Sequence, residues 1–98
     1  MNYSEFMASL NKQEPPQGIS PILTALWYDG KGKWEASHNV AQDIHNTDGS
    51  WIHAYLHRKE GDLSNARYWY SMAGKPESKL SLKDEWEELV KLFCKRAK

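Results

Sequence analysis

The stretch SWIHAYLHRKEGDLSNARYWYSMAG, residues 50–74, decides the reading of the fold. Ser50 is a preferred helix N-cap residue, and Ile52 and Leu56 then recur on one face at helical spacing. Gly61-Asp62 interrupts this first helix. A second helix is expected from about Ser64 to Ala73, with Ala66, Trp69, Tyr70 and Ala73 directed inward. Gly74 and Pro76 stop it, because glycine adopts the left-handed conformation at helix ends and proline cannot continue a helix. Helices joined by so short a turn lie antiparallel, so residues 50–76 are expected to form a hairpin.

Upstream, Ser20-Pro21 opens another helix, with serine as the cap and proline at the first helical position, where no hydrogen bond is lost. Ile22, Leu23, Leu26 and Trp27 form its stripe, and Asp29-Gly30-Lys31-Gly32 ends it. A further helix is expected from about Lys33 to His45, with Ala36, Val40 and Ile44 on one arc and Trp34, His38, Ala41 and His45 on the next. Asn46-Thr47-Asp48-Gly49 reads as a turn. Residues 20–45 thus form a first hairpin ahead of the second. At the N-terminus, residues 3–11 read as a short helix with Tyr3, Phe6, Met7 and Leu10 together, and Lys12–Gly18 as a proline-rich linker, so residues 1–19 precede the hairpins.

Residues 81–97 read as a C-terminal packing helix capped by Ser81, with Asp84 at the capping-box position. Its stripe is Leu82, Trp86, Leu89, Val90, Phe93 and Ala97, with Cys94 at the edge. Asp84, Glu85, Glu87 and Glu88 come early and Lys95, Arg96 and Lys98 late, which suits the helix dipole and reads as a solvated face. No alternating apolar pattern of a strand stands out.

Shifting the chain by thirty residues aligns Ser20 with Ser50, Ile22 with Ile52, Leu26 with Leu56 and Ala36 with Ala66. Both copies then read as helix, glycine-containing turn, helix, with the same cap and the same small residue early in the second helix. Stacked helical hairpins of this period are typical of solenoid arrays. With Ala54 at a small position, Gly61-Asp62 at the turn, and Ala66, Tyr70 and Ala73 in alanine, aromatic, alanine spacing, residues 50–76 resemble one tetratricopeptide or Sel1-like repeat. Residues 20–45 depart from that pattern at Val40 and Asp43, and thirty residues is short for such a repeat. The string HAYLHRKEGDLSNARYWY also resembles small bacterial proteins to which no activity is assigned, over roughly residues 34–76. The resemblance implies a tetratricopeptide-like two-hairpin array and an adaptor role, and it brings no catalytic residues. The expected fold is all-α, with five or six helices in antiparallel hairpins, and residues 1–98 form a single domain.

Composition narrows the function. Lys+Arg and Asp+Glu number 13 each, so no basic excess exists to hold nucleic acid or an anionic membrane. The single Cys94 excludes an internal disulfide and a multi-thiolate zinc site. No apolar run approaches the roughly 20 residues of a membrane span, and the N-terminal residues lack a signal pattern, so a cytoplasmic protein is expected. Five Trp, five Tyr and two Phe supply the core that a 98-residue chain needs. The five tryptophans fall one to each of the last five helices.

All four histidines lie between His38 and His57. His53, His57 and Glu60 fall within about 60° of one helical face. Pairing with the preceding helix would set His45 near His53 and His38 near His57. Three readings stay open: histidines hydrogen-bonded at a helix interface, a pocket for a polar ligand or partner, and a divalent metal site with Glu60 or His38 completing the His53/His57 pair. The zinc-protease HExxH pattern is absent, since Ala54 stands at its glutamate position. No serine has a recognisable histidine partner, so nucleophilic catalysis has no support. The expected ligand-binding set is His38, His53, His57, Glu60, Asp62 and Trp69, although Asp62 also fits a helix cap. No cofactor is expected and no metal is assigned. The leading expectation is a small non-enzymatic module that recognises a protein, peptide or small ligand around the third to fifth helices. The alternatives are a metal-binding protein or metal-dependent enzyme using His38, His53, His57 and Glu60, and a homo-oligomerising structural subunit with the exposed ends of a short solenoid.

Overall fold

The computed structural model describes residues 1–96. Among them are six α-helices and no strand: α1 (Tyr3–Ser9), α2 (Pro21–Gly30), α3 (Trp34–Gln42), α4 (Thr47–Lys59), α5 (Leu63–Ala73) and α6 (Leu82–Arg96). The all-α class expected from periodicity is therefore the observed class. Ala97, the last position of the expected stripe, and Lys98 lie outside the described residues.

Local chemistry explains most helix ends. Asn2 and Glu5 form a reciprocal capping box on α1. The Ser20 hydroxyl accepts from the Leu23 N–H, and Pro21 is the first residue of α2. The Ser81 hydroxyl accepts from the Asp84 N–H at the start of α6. Gly74 ends α5 in the left-handed region at φ 69°.

The α3–α4 junction corrects the sequence reading. α3 stops at Gln42 rather than His45, and Asn46 caps α4 by accepting from the Gly49 N–H at 2.9 Å. Asn46–Gly49, expected as a turn, is thus the cap and first turn of α4, and Ser50 lies inside the helix. Gly49 serves close approach here: a Cβ on it would sit 2.0 Å from the Ile44 carbonyl oxygen. The expected equivalence of Ser20 and Ser50 as caps fails for the same reason. The pairs α2–α3 and α4–α5 also differ in helix length, and nothing in their arrangement is evidence of tetratricopeptide or Sel1-like repeats.

α5 packs chiefly on α4, α2 on α3, and α3 on α4, while α6 contacts α1, α2 and α4. Trp34 reaches Leu56 while His38 reaches His53, so α3 and α4 run antiparallel. The main core joins Phe6, Leu23, Leu26, Trp27, Ile52, Leu56, Leu89 and Val90. Trp86 is buried in it and donates its indole N–H to the Leu26 carbonyl at 3.0 Å. Ala54, Ala66 and Tyr70 form a second, smaller cluster along the α4–α5 seam.

α4 is the centre of the molecule. Its six consecutive residues Ile52–His57 are all buried, not only the Ile52/Leu56 face. A helix enclosed on all sides ordinarily reads as apolar all round. Here three of the six are His53, Tyr55 and His57, so their polar atoms need partners inside the protein. His38 of α3 meets His53, Asp29 of α2 meets Tyr55, and Glu60 at the end of α4 itself meets His57. Among the described residues every fully buried side-chain nitrogen and oxygen is hydrogen-bonded.

Two buried carboxylates anchor the side of α4 that faces α2 and α6. Asp29, expected in the turn after α2, lies in the last turn of the helix and is 3% exposed. It accepts from the Tyr55 hydroxyl at 2.7 Å and the Lys59 ammonium at 2.9 Å. Glu85, expected on a solvated face of α6, is 2% exposed. It accepts from the Tyr70 hydroxyl and from Arg58 at 2.7 Å. Burial, then the neighbouring carboxylates, push both phenols above the ordinary tyrosine range. Each buried acid is thereby balanced by one cation and one phenol, the condition under which buried charge is tolerated.

Candidate functional site

The opposite side of α4 carries the imidazoles. α3 supplies His38, α4 supplies His53 and His57, and α5 supplies Trp69. The i, i+4 spacing stacks the His53 and His57 rings 4.7 Å apart at 22°. Trp69 covers the other face of His53 at 4.1 Å and 19°. His38 meets this column edge-on, 4.7 Å from His53 and 5.4 Å from His57 between ring centroids. Trp34 stacks on His38 at 4.9 Å and is fixed by its indole N–H to the Leu56 carbonyl at 2.8 Å.

Two hydrogen bonds set the protonation pattern. His38 Nε2 and His53 Nε2 are 2.9 Å apart, so one ring carries its proton there and the other offers a lone pair. His57 Nδ1 lies 2.5 Å from Glu60 Oε1, so Nδ1 carries a proton toward the carboxylate, and in the neutral ring Nε2 is then the acceptor nitrogen. Burial lowers the His53 pKa to about 4, helped by the adjacent His38 and His57. Burial and then His57 also lower that of His38, against a raising influence of Glu60. At neutral pH these two rings are uncharged.

The six residues expected as a ligand set fall in one neighbourhood. One ring nitrogen of each of His38, His53 and His57 lies within 4.8 Å of the others, and donor atoms of His57, Glu60 and Asp62 do likewise. Asp62 is exposed and caps α5 by accepting from the Asn65 N–H. Glu60 is the C-cap residue of α4 and grips His57 from the helix end.

His45 departs from expectation. α3 ends before it, so it is exposed and stays out of the cluster, and His38 alone meets both His53 and His57. His45 lines a groove of about 360 Å³ with Ile44, His53, Trp69 and Met72. A larger cavity of about 660 Å³ lies beside α1, lined by Met1, Ala8 and Pro16 among others, and contains no imidazole. Trp34 is the cluster member that the expected ligand set omits. Its signal is the i, i+4 spacing to His38 on the same arc.

Neutral nitrogen donors and flat aromatic faces equip this cluster to bind. Comparison of the chain with protein-family models, curated proteins and solved structures gives no match. Among the described residues no helix is long and apolar enough to cross a membrane.

Proposed function

We propose that the protein is a small non-enzymatic binding module that takes an apolar segment of a partner protein on the α3–α5 face. One observation carries this reading. Among the described residues five large apolar side chains are exposed, and three of them lie on α5: Leu63 at 56%, Tyr68 at 56% and Met72 at 52%. Met72 and Trp69 border the groove that also reaches Ile44 and His53. Tyr68 and Met72 lie one helical turn apart on the groove side of α5, whereas Leu63 lies on the other side of the helix. Exposed apolar surface beside a concave site marks interaction faces, and aromatic anchors dominate binding energy. A groove of about 360 Å³ is at the small end for ligand sites and suits one or two side chains of a peptide. Met72 adds a flexible, polarisable wall. The support comes from this surface and not from tetratricopeptide-like spacing, since fold analogy assigns no function.

The test is selection of a displayed peptide library on the full chain in a chelator. Peptides with an apolar anchor should enrich, and Trp69→Ala should weaken them by more than about 1 kcal/mol. Enrichment that is absent, or indifferent to both Trp69→Ala and Met72→Ser, overturns the reading.

A further inference from the structure

We propose that His38, His53 and His57 form a three-nitrogen site for a divalent transition metal of the zinc class, with Glu60 holding His57 in the ligating tautomer and a fourth position left to water or a partner's donor group. This goes beyond the peptide-binding reading, which rests on the neighbouring α5 surface and groove and not on the imidazole nitrogens.

The donor set comes first. Three imidazoles without a thiolate suit zinc, cobalt, nickel or copper, whereas calcium and magnesium require mostly oxygen. An i, i+4 histidine pair on one helix with a third histidine from a neighbouring helix is a three-point frame that leaves one tetrahedral position open.

The distances are close to those required. At a metal–nitrogen length of about 2.0–2.1 Å, tetrahedral nitrogens lie about 3.3–3.4 Å apart. The His38 and His53 Nε2 atoms, at 2.9 Å, need only separate slightly. No two of the trio's ligand nitrogens lie more than 4.8 Å apart, so side-chain rotation through at most about 1.5 Å brings them to that spacing.

The proton arrangement is prepared as well. Metal ligation through Nε2 requires each ring's proton on Nδ1. Glu60 already imposes that tautomer on His57, and a carboxylate on the far nitrogen is the usual support of a metal-bound imidazole. Among the described residues His57 Nε2 makes no hydrogen bond, yet it is not a sealed, unsatisfied atom, so it retains contact with solvent. Binding exchanges the His38–His53 hydrogen bond for two metal bonds. The shared Nε2 proton moves to Nδ1 of the same ring, and no net proton is released.

Equilibrium dialysis of the full chain, carrying no histidine tag, against zinc and cobalt tests this. One metal per chain should bind saturably, and cobalt should give the intense visible bands of low-coordinate geometry. His38→Gln, at a half-buried position, should weaken binding by more than about 100-fold while the helical circular dichroism stays unchanged. Glu60→Gln should weaken it by about 10–100-fold. On the unaltered chain, zinc should shift the ring nitrogen resonances of His38, His53 and His57 and leave those of His45 in place, a readout that does not depend on any variant folding. Absence of saturable binding overturns the proposal, as does binding that survives His38→Gln or shifts His45 alone. The peptide selection is run in chelator, so the two readings fail separately: a metal-free chain that still selects peptides leaves the recognition surface standing, and a metal-binding chain that selects none leaves only the metal site.

Discussion

The two sides of α4 bury polar groups in different ways. Toward α2 and α6, Asp29 and Glu85 are matched one for one by Lys59 and Arg58, and each acid also accepts from a tyrosine. Toward α3 and α5, imidazoles lie against indoles with the carboxylates of Glu60 and Asp62 at the edge. The first side has opposite charges and hydrogen bonds balanced, and its chemistry is consumed by holding the helices together. The second side keeps nitrogen lone pairs and aromatic faces beside a groove. Polar burial that is fully paired is architecture, whereas polar burial with spare donor capacity is where a ligand belongs.

Breaking the paired side should have the largest effect. Glu85→Ala removes the buried carboxylate that accepts from both Arg58 and Tyr70 and should cost about 3–5 kcal/mol in urea unfolding. Adding Arg58→Met to Glu85→Leu should recover much of that loss, because an apolar pair needs no compensation. A loss under about 1 kcal/mol for Glu85→Ala would mean that this side is not structural and would erase the contrast.

Gly49→Ala acts on the imidazole side. The added methyl meets the Ile44 carbonyl and must push α4 away from the end of α3. We expect a loss of about 1–3 kcal/mol, the range for overpacking. The His38–His53 register should move with it, visible as changed imidazole resonances. Full stability with unchanged resonances would show that this close approach does not set the register.

The pH dependence sharpens the comparison. His53 has a folded pKa of about 4, below its ordinary 6.5. As pH falls, the unfolded chain takes up this proton first, so stability is full above about pH 6.5 and is lost between there and about pH 4. One such group contributes at most about 1.4 kcal/mol per pH unit. The groups facing His53 are His38 from α3, His57 from its own helix with Glu60 behind it, and the uncharged Trp69 from α5. Melting temperatures across this range should fall with acid in the unaltered chain and in His45→Gln, and fall less in His53→Phe. Equal slopes in all three would remove His53 as the cause.

The smallest effect belongs to Glu60→Gln. This side chain is 39% exposed, and its loss should change metal-free stability by no more than about 1 kcal/mol. A larger loss in thermal unfolding would make Glu60 part of the paired architecture rather than an orienting group for His57.

The legible parts of the fold are those governed by local rules. Ser20-Pro21 and Ser81 cap helices, Gly74 ends one, and the α6 stripe buries Trp86, Leu89, Val90 and Phe93, because capping and amphipathic periodicity operate within a few residues. The α3–α4 boundary was not legible in this way. Asn46 and Ser50 are both acceptable caps by residue type. In the fold Asn46 takes the Gly49 N–H, and the tight approach of Gly49 to the Ile44 carbonyl follows from how the chain turns between the two helices.

By itself, the sequence determined the all-α class, most helix positions and the clustering of histidines with Glu60, Asp62 and Trp69 around one hairpin. Tertiary structure alone decided which polar groups go inside. Asp29 and Glu85 look like a turn residue and a solvated helix residue until Lys59, Arg58, Tyr55 and Tyr70 arrive from other helices. It also decided that His38 joins His53 and His57 while His45 is left at the groove. The physical reason is the same in both cases. Whether a charge or an imidazole can be buried depends on partners distant in the chain, and helical periodicity orients a side chain without saying what will meet it.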